Sequence, residues 1–527
     1  MKGVLTPLCL ILVAPLALVD VPPLLDYPNH LARAFVLAFG PGDPILSRMY
    51  AAHWAIIPDL GIDLVLPPLL HVLPVHVAGR AVIAMAVLLP VVGTVAYSRA
   101  VFRTRSLWPL ASVLVAYNGT LLLGFLNFVA GIGLALLLAA AWMEWRERFP
   151  WRVVGLAIIG ATALFFCHLM SLVFCTILIG GHELEWLWAH RHKPGAMTKR
   201  CLIAVVPLVL PLTLYTQSPL SPVATGIEWP TFDNKLRELV MPFANYVLPL
   251  DIMTACLVVG YLLFCALRGR CRITSASGTA LILTALLFVI SPNGLKGTYL
   301  FDTRFIIMLG FLLFGAVLPM AQPRAVAAML AVLFVVRMVV LNYAWLEQRQ
   351  DLADLRVTIA SVQPGARVFL AFARRKDEPM SQRLSVGLPT YEHLPALLLI
   401  EHRAFWPYLF DDPSQQPIEV LTPYRELQER MGGFVNYRKL TKIDLCGYDD
   451  LLLIGPLASS DPPTPWTRVS QALSTPGHQY ILVAGSRPGM TEETMETRFA
   501  LRAQSAFAAL FQINRAECAP ATDEEPH

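Results

Sequence analysis

Residues 4–33 read VLTPLCLILVAPLALVDVPPLLDYPNHLAR. The run Val4 to Val19 is apolar and follows Lys2, and it is followed by the polar segment Asp26-Tyr27-Pro28-Asn29-His30-Leu31-Ala32-Arg33. A carboxylate, an imidazole and a guanidinium at a membrane exit are costly to desolvate, so they belong at a water-filled cavity and not against lipid. Pro28 suits the first turn of a helix, which places Asp26 and His30, four residues apart, on one face. Asp26 equally suits the N-cap of that helix, a role compatible with chemistry. The apolar run resembles a signal peptide but lacks a small-residue cleavage pattern, so we read it as an uncleaved first helix with a cytoplasmic N-terminus.

Working outward, the chain has 527 residues, of which 56% are hydrophobic and only 15% charged, with mean hydropathy +0.57. Such a chain cannot pack as an ordinary soluble globule. Apolar windows of the length that crosses a ~30 Å hydrocarbon core recur from Val4 almost to Trp345. Arg99-Arg103-Arg105, Arg146-Arg148-Arg152, Arg191-Lys193-Lys199-Arg200, Arg268-Arg270-Arg272 and Arg324 recur at alternate turns and are assigned to the cytoplasmic side. About eleven spans result, provided that Ile62 to Val75, broken by Pro67-Pro68 and Pro74, lies along the membrane or dips into it. Residues 1–345 then form a transmembrane domain with its first outer loop at about 20–76. Glu183 and Glu185, beside Trp186 and Trp188, read as anchors at the cytoplasmic interface.

From Leu346 onward Gln, Arg, Asp and Pro return, and residues 346–527 read as an extracytoplasmic α/β domain. Val368–Phe372, Leu451–Gly455 and Tyr480–Gly485 are predicted strands, and Leu346–Val362 and Thr491–Phe511 predicted helices. The aromatic stretch Glu401 to Tyr408, with Gln415-Gln416, is read mainly as packing. No phosphate-cradling glycine pattern follows a strand. The net charge of +4 is small and scattered, which argues against nucleic acid as a partner. Of nine cysteines none has metal-like CxxC spacing; Cys446 and Cys518, both in the tail, can pair if that domain is extracytoplasmic.

One membrane helix, a loop opening on an acidic residue and a Pro-containing helix start, many further spans and a soluble tail together resemble the GT-C class of integral-membrane glycosyltransferases, in particular protein O-mannosyltransferases and aminoarabinose transferases. The resemblance implies a GT-C-like fold in the cell (inner) membrane and a polyprenyl-phosphate-linked sugar donor. It also implies a glycan, lipid or protein acceptor and a carboxylate near Asp26 acting as base, with inversion at the anomeric carbon. That family often carries two adjacent acidic residues here, whereas this chain has Asp26-Tyr27. Aminoarabinose transferases place a Lys before a Pro-Pro pair in the same loop, whereas this chain has Val65-Leu66-Pro67-Pro68. A divalent metal is left open and no metal ligand set is named. Phosphate recognition needs a cation, for which Arg33, Lys296 and Arg304 are the candidates. His30 supports Asp26, His53 and Trp54 are candidates for the sugar pocket, and Asp302 stands beside Arg304. His168 and Asn127 read chiefly as helix-to-helix hydrogen-bonding groups. The competing classes are a transporter or lipid-carrier flippase, and a non-catalytic scaffold of an envelope polysaccharide complex.

Overall fold

The computed structural model describes residues 2–224, 226–372, 382–431, 433–435, 440, 444–455 and 499–514. Among these, seven helices are long and apolar enough to cross a membrane: Val75–Phe102, Leu126–Trp145, Pro150–Cys167, Leu169–Ala189, Pro194–Gln217, Leu248–Leu267 and Arg324–Ile359. Gly3–Ala17, Trp108–Leu122, Ser275–Ile290 and Thr303–Gly315 are shorter apolar helices, so seven of the about eleven expected spans have spanning length among the described residues. The chain is a polytopic helical membrane protein, as its hydropathy requires: in hydrocarbon every backbone N–H and C=O must be bonded internally. Gly61–Leu70, the Pro-containing segment, is a ten-residue helix of ~15 Å, too short to cross ~30 Å of hydrocarbon.

Lipid supplies no hydrophobic drive between helices, so close approach of small residues matters. Val75–Phe102 lies so near Leu126–Trp145 that a Cβ on Gly133 would meet the Leu89 carbonyl carbon at 2.3 Å, and one on Gly93 the Gly133 oxygen at 2.7 Å. Two sets of buried charges inside the bundle are paired. Arg337 Nη1 reaches Asp251 Oδ1 at 2.7 Å, linking the Arg324–Ile359 and Leu248–Leu267 helices. Glu183, expected as an interface anchor, is buried instead, accepting from Arg200 Nε at 2.5 Å and from Trp142 Nε1 at 2.7 Å. The Arg-rich turns meet at the end of the helices away from Asp26: Gln322 donates to Ser106, Arg272 stacks over Phe102, and Arg200 reaches Glu147.

The last span does not stop at Trp345. Arg324–Ile359 is one continuous helix of 36 residues, ~54 Å long, so it crosses and then projects well beyond a bilayer to carry the tail. The expected boundary at 345/346 therefore falls inside a helix. The tail sheet orders its strands Val368–Phe372, Asp450–Ile454, Ala508–Ile513, Phe499–Gln504; the first pair is parallel, the others antiparallel. Val368–Phe372 and Asp450–Ile454 match two expected strands. The helix expected over 491–511 is overturned in its described part, which is a hairpin turning at Ser505, whose N–H donates to Ala508 O at 2.8 Å. Residues 491–498, the expected strand 480–485 and Cys518 lie outside the described residues; Cys446 is disulfide-bonded.

The tail is sewn to the first loop. Tyr50–Ala52 pairs antiparallel with Ile418–Val420, and His53 N–H extends the ladder to Pro417 O at 2.9 Å. Arg356, on the projecting helix, holds Glu401 at 2.8 Å and Asp20 at 3.2 Å.

Candidate active site

The seam between bundle, first loop and tail encloses a cavity of about 900 Å³. Asp26 sits at its floor because two backbone bonds, Leu25 N–H to Leu122 O at 2.9 Å and Asp26 N–H to Leu123 O at 3.0 Å, lay the loop on the turn before Leu126–Trp145. Gly124 makes the seat: its φ is +96°, and a Cβ there would lie 2.8 Å from Asp26 N and Cβ. Asp26 occupies the N-cap position of the Tyr27–Phe39 helix, yet its side chain makes no capping bond, so the carboxylate is left to the cavity. Burial pushes it up to about 7, with Arg33 pulling the other way.

His30 stands one turn on and also lines the cavity; its N–H donates to Asp26 O at 3.0 Å, and its buried Nδ1 has no partner. Burial first, then Arg33 and His393, holds its imidazole well below the usual value, hence neutral.

A second carboxylate, Asp59, faces the same space. Its φ of +86° is a left-handed backbone for a non-glycine residue, the kind of strain that collects at functional sites. Asn127 holds it there: Nδ2 donates to Asp59 O at 2.8 Å and Oδ1 accepts Ile62 N–H at 2.8 Å. The Asp59 Oδ1 is buried without a partner, and burial raises this carboxyl too to about 7, against the lowering pull of Asn127, Arg33 and Arg304.

Among the described residues Arg304 is the one Lys or Arg on the cavity wall. Its Nη1 is held by Tyr299 O at 2.7 Å and Leu300 O at 2.8 Å, its guanidinium lies 5.0 Å from the Phe125 ring centre, and its buried Nε has no partner.

The other expected contacts fall elsewhere. Arg33 is sealed in a two-pronged pair with Asp63, at 2.7 and 2.9 Å, outside the cavity. Lys296 is turned away onto the carbonyls of Ser221 at 2.7 Å and Val223 at 3.0 Å. Asp302 is buried against Lys235, Asn293 Nδ2 at 3.1 Å and Thr303 N–H at 3.0 Å, anchoring the loop that presents Arg304. Trp54 is 52% exposed and off the cavity, and His53 lines an adjoining groove with Asp411 and Glu429. His168 and Asn127 both face the cavity; His168 Nδ1 accepts the Met170 N–H at 3.1 Å and caps its own helix, while Asn127 bonds across to the first loop. Among the described residues no three His, Cys, Asp or Glu side chains converge as a ligand set for the divalent metal left open above.

The tail forms the remaining wall. Trp406 and Phe405 are core, as the packing reading expects, while Tyr408, Gln415 and Gln416 of the same stretch line the cavity beside Phe410, Gln428 and Phe434. His393 reaches the floor, its Nε2 3.4 Å from Asp26 Oδ1. Asp59 and His393 were missed in the sequence. The Pro58-Asp59-Leu60-Gly61 stretch signals a turn without saying what it faces, and no local pattern links residue 393 to residue 26.

No protein-family model matches the chain, and no curated protein does. Among solved structures, the crystal structure of ArnT from Cupriavidus metallidurans bound to undecaprenyl phosphate is similar, with a TM-score of 0.54 at 13% sequence identity over 98% of this chain and 99% of that one. The likeness extends over essentially the whole of both chains, and the fold is the GT-C-like one that the sequence led us to expect.

Proposed function

We propose that this protein transfers a sugar from a polyprenyl-phosphate carrier to a hydroxyl-bearing acceptor, on the extracytoplasmic side of the membrane. The observation that carries the reading is that an unneutralised carboxylate, Asp26, and the one guanidinium on the wall among the described residues, Arg304, line the same space of about 900 Å³. The likeness to a protein bound to undecaprenyl phosphate supports a lipid-linked donor. The Arg-rich turns at the opposite end support the orientation.

In this reaction the acceptor oxygen attacks the anomeric carbon while the bond from that carbon to the phosphate oxygen breaks, and the electron pair leaves with the polyprenyl phosphate. The acceptor proton passes to Asp26. A carboxyl titrating near 7 is matched to that task, being ionised in part at neutral pH yet basic enough to take the proton. Arg304 faces the charge that develops on the leaving phosphate, and its unpartnered Nε is free to donate there. Asp59, also near 7, orients the acceptor or the sugar hydroxyls. The tail wall of Tyr408, Gln415 and Gln428 offers a ring face and amides to a polyhydroxylated ligand.

The test is transfer by the purified, reconstituted protein from radiolabelled polyprenyl-phosphate sugars to a membrane extract, beside Asp26→Asn and Arg304→Met. Transfer by the wild type that is lost in Asp26→Asn while donor binding persists supports the reading. Equal transfer by both removes Asp26 as base, and no transfer from any donor turns the reading toward a lipid-carrier transporter.

A further inference from the structure

We propose that His393, delivered by the tail, is a positioning residue for Asp26, and that Asn29 fixes its tautomer so that its Nε2–H faces the Asp26 carboxylate. The inference deepens the reading of Asp26 as base and rests on it for its effect on rate.

The argument starts at Asn29, which is wholly buried. Its Oδ1 accepts the Phe410 N–H at 3.0 Å, and its Nδ2 donates to Tyr408 O at 2.8 Å. A backbone N–H only donates and a carbonyl only accepts, so two main-chain groups of the tail fix which way round the amide lies. The same Nδ2 lies 3.1 Å from His393 Nδ1 and has a second hydrogen to give. Nδ1 must therefore accept, and a neutral imidazole whose Nδ1 accepts carries its proton on Nε2. That nitrogen is the one 3.4 Å from Asp26 Oδ1, longer than a formed hydrogen bond and close enough for its N–H dipole to act on the carboxylate.

The ring cannot turn away, because Trp406, Phe410 and Phe434 surround it edge-on with ring centres at 5.7, 5.0 and 5.2 Å. Burial lowers the His393 imidazole to about 3, so it stays neutral throughout the working range and serves as a fixed donor, not as an acid or base. The charged and titratable groups around Asp26 are Arg33 and His30 from its own helix and His393 from the tail, with Asp59, His168 and Arg304 from the bundle side of the same cavity and Glu392, Asp411, Asp412 and Glu429 from its tail side; the Gly124 turn brings none. Removing the His393 donor while keeping the site dry raises the Asp26 carboxyl, since an N–H dipole facing the ionised form is lost. The docking of the tail is thereby felt at the base: the contacts at 408 and 410 that seat Asn29 also set the proton facing Asp26.

The experiment uses the full-length protein in detergent. A hydrophobic carbodiimide attacks protonated carboxyls, and mass spectrometry of the Asp26 peptide gives the pH of half-labelling. His393→Phe keeps an aromatic ring and removes both nitrogens, with His393→Met as a second apolar filler should the first not fold. His393→Gln retains an acceptor for Asn29 and a donor for Asp26. The expected result is a half-labelling pH about one unit higher in the Phe or Met variant. It returns toward wild type in the Gln variant, and sugar transfer falls about tenfold in kcat with donor KM unchanged in the apolar variants alone. Unshifted labelling in the apolar variants, or a Gln variant that behaves like them, overturns the proposal. A labelling shift without any sugar transfer by wild type keeps the relay and overturns the reaction; Asp26-dependent transfer without a labelling shift does the reverse.

Discussion

Of the five aspartates in the first loop, Asp26, Asp59 and Asp63 lie deepest in the site region, and the fold treats these three in opposite ways. Asp63 is fully sealed with Arg33 in a two-pronged pair that bolts the Gly61–Leu70 helix to Tyr27–Phe39. Asp26 and Asp59, on either side of that strut, have no Lys or Arg in ion-pair contact among the described residues, and both are raised to about 7. The cation nearest in sequence to Asp26 is thus used for architecture, and the cavity keeps its carboxylates unneutralised. A paired buried charge holds elements in place, whereas an unpaired one is held at a cost in stability and is available for chemistry.

The largest effect that would break this contrast is on activity. Asp26→Asn lowers kcat by about 10³-fold, within the range for losing a general base. The same variant is more stable than wild type at alkaline pH. The sign follows from a folded pKa raised from 3.8 to about 7: folding binds a proton more tightly, so stability is lost as pH rises from about 4 to 7 and the cost is complete above that. Asp26→Asn therefore melts higher than wild type at pH 8, by an amount on the order of 2–4 kcal/mol, and together with wild type near pH 4. Melting curves at the two pH values check this, and equal melting at pH 8 would mean that the carboxylate is compensated after all.

Arg33→Met sharpens the contrast from the other side. It leaves Asp63 buried and unpaired and destabilises by about 3 kcal/mol or more, while Arg33→Met with Asp63→Leu recovers most of that. A single mutant as stable as wild type in denaturant titration would show that the strut is not holding the loop.

Gly124→Ala comes next. The φ of +96° and the 2.8 Å approach to Asp26 set a strained residue directly under the base, so about 1–2 kcal/mol of stability is lost. The transfer rate falls more than stability does, because the carboxylate is displaced; a melting point and a kcat measured side by side decide it. The smallest expected effect on transfer is that of Asp59→Gly, which relieves a left-handed non-glycine backbone worth about 1 kcal/mol and also removes a carboxyl raised to about 7. It raises the melting temperature at pH 8 while lowering transfer.

Much of the architecture was legible from local pattern. Apolar windows marked the spans, Pro67-Pro68 marked the segment that stays short, and the apolar runs Val368–Phe372 and Leu451–Gly455 marked the buried strands. The hairpin from Phe499 to Ile513 was misread because its Ala-rich run suits a helix by propensity, a weak preference that yields when a sheet offers a buried ladder beside Asp450–Ile454. Of the candidate site, Asp26, His30 and Arg304 were readable as polar groups at helix starts. Arg33 and Lys296 were equally plausible cations, and nothing in their neighbourhoods revealed that one would be matched by Asp63 and the other by loop carbonyls.

What the sequence determined by itself was the membrane, the order of the elements and the loop in which a carboxylate stands at a helix start, since hydropathy and helix periodicity are properties of neighbouring residues. What only the tertiary structure decided was which of three aspartates is neutralised, that Glu183 is buried in an ion pair, and that His393 meets Asp26 through Asn29. Charge pairing and tautomer choice depend on groups packed together from distant parts of the chain, and the burial that shifts a carboxyl to about 7 comes from bundle, first loop and tail packed around one cavity.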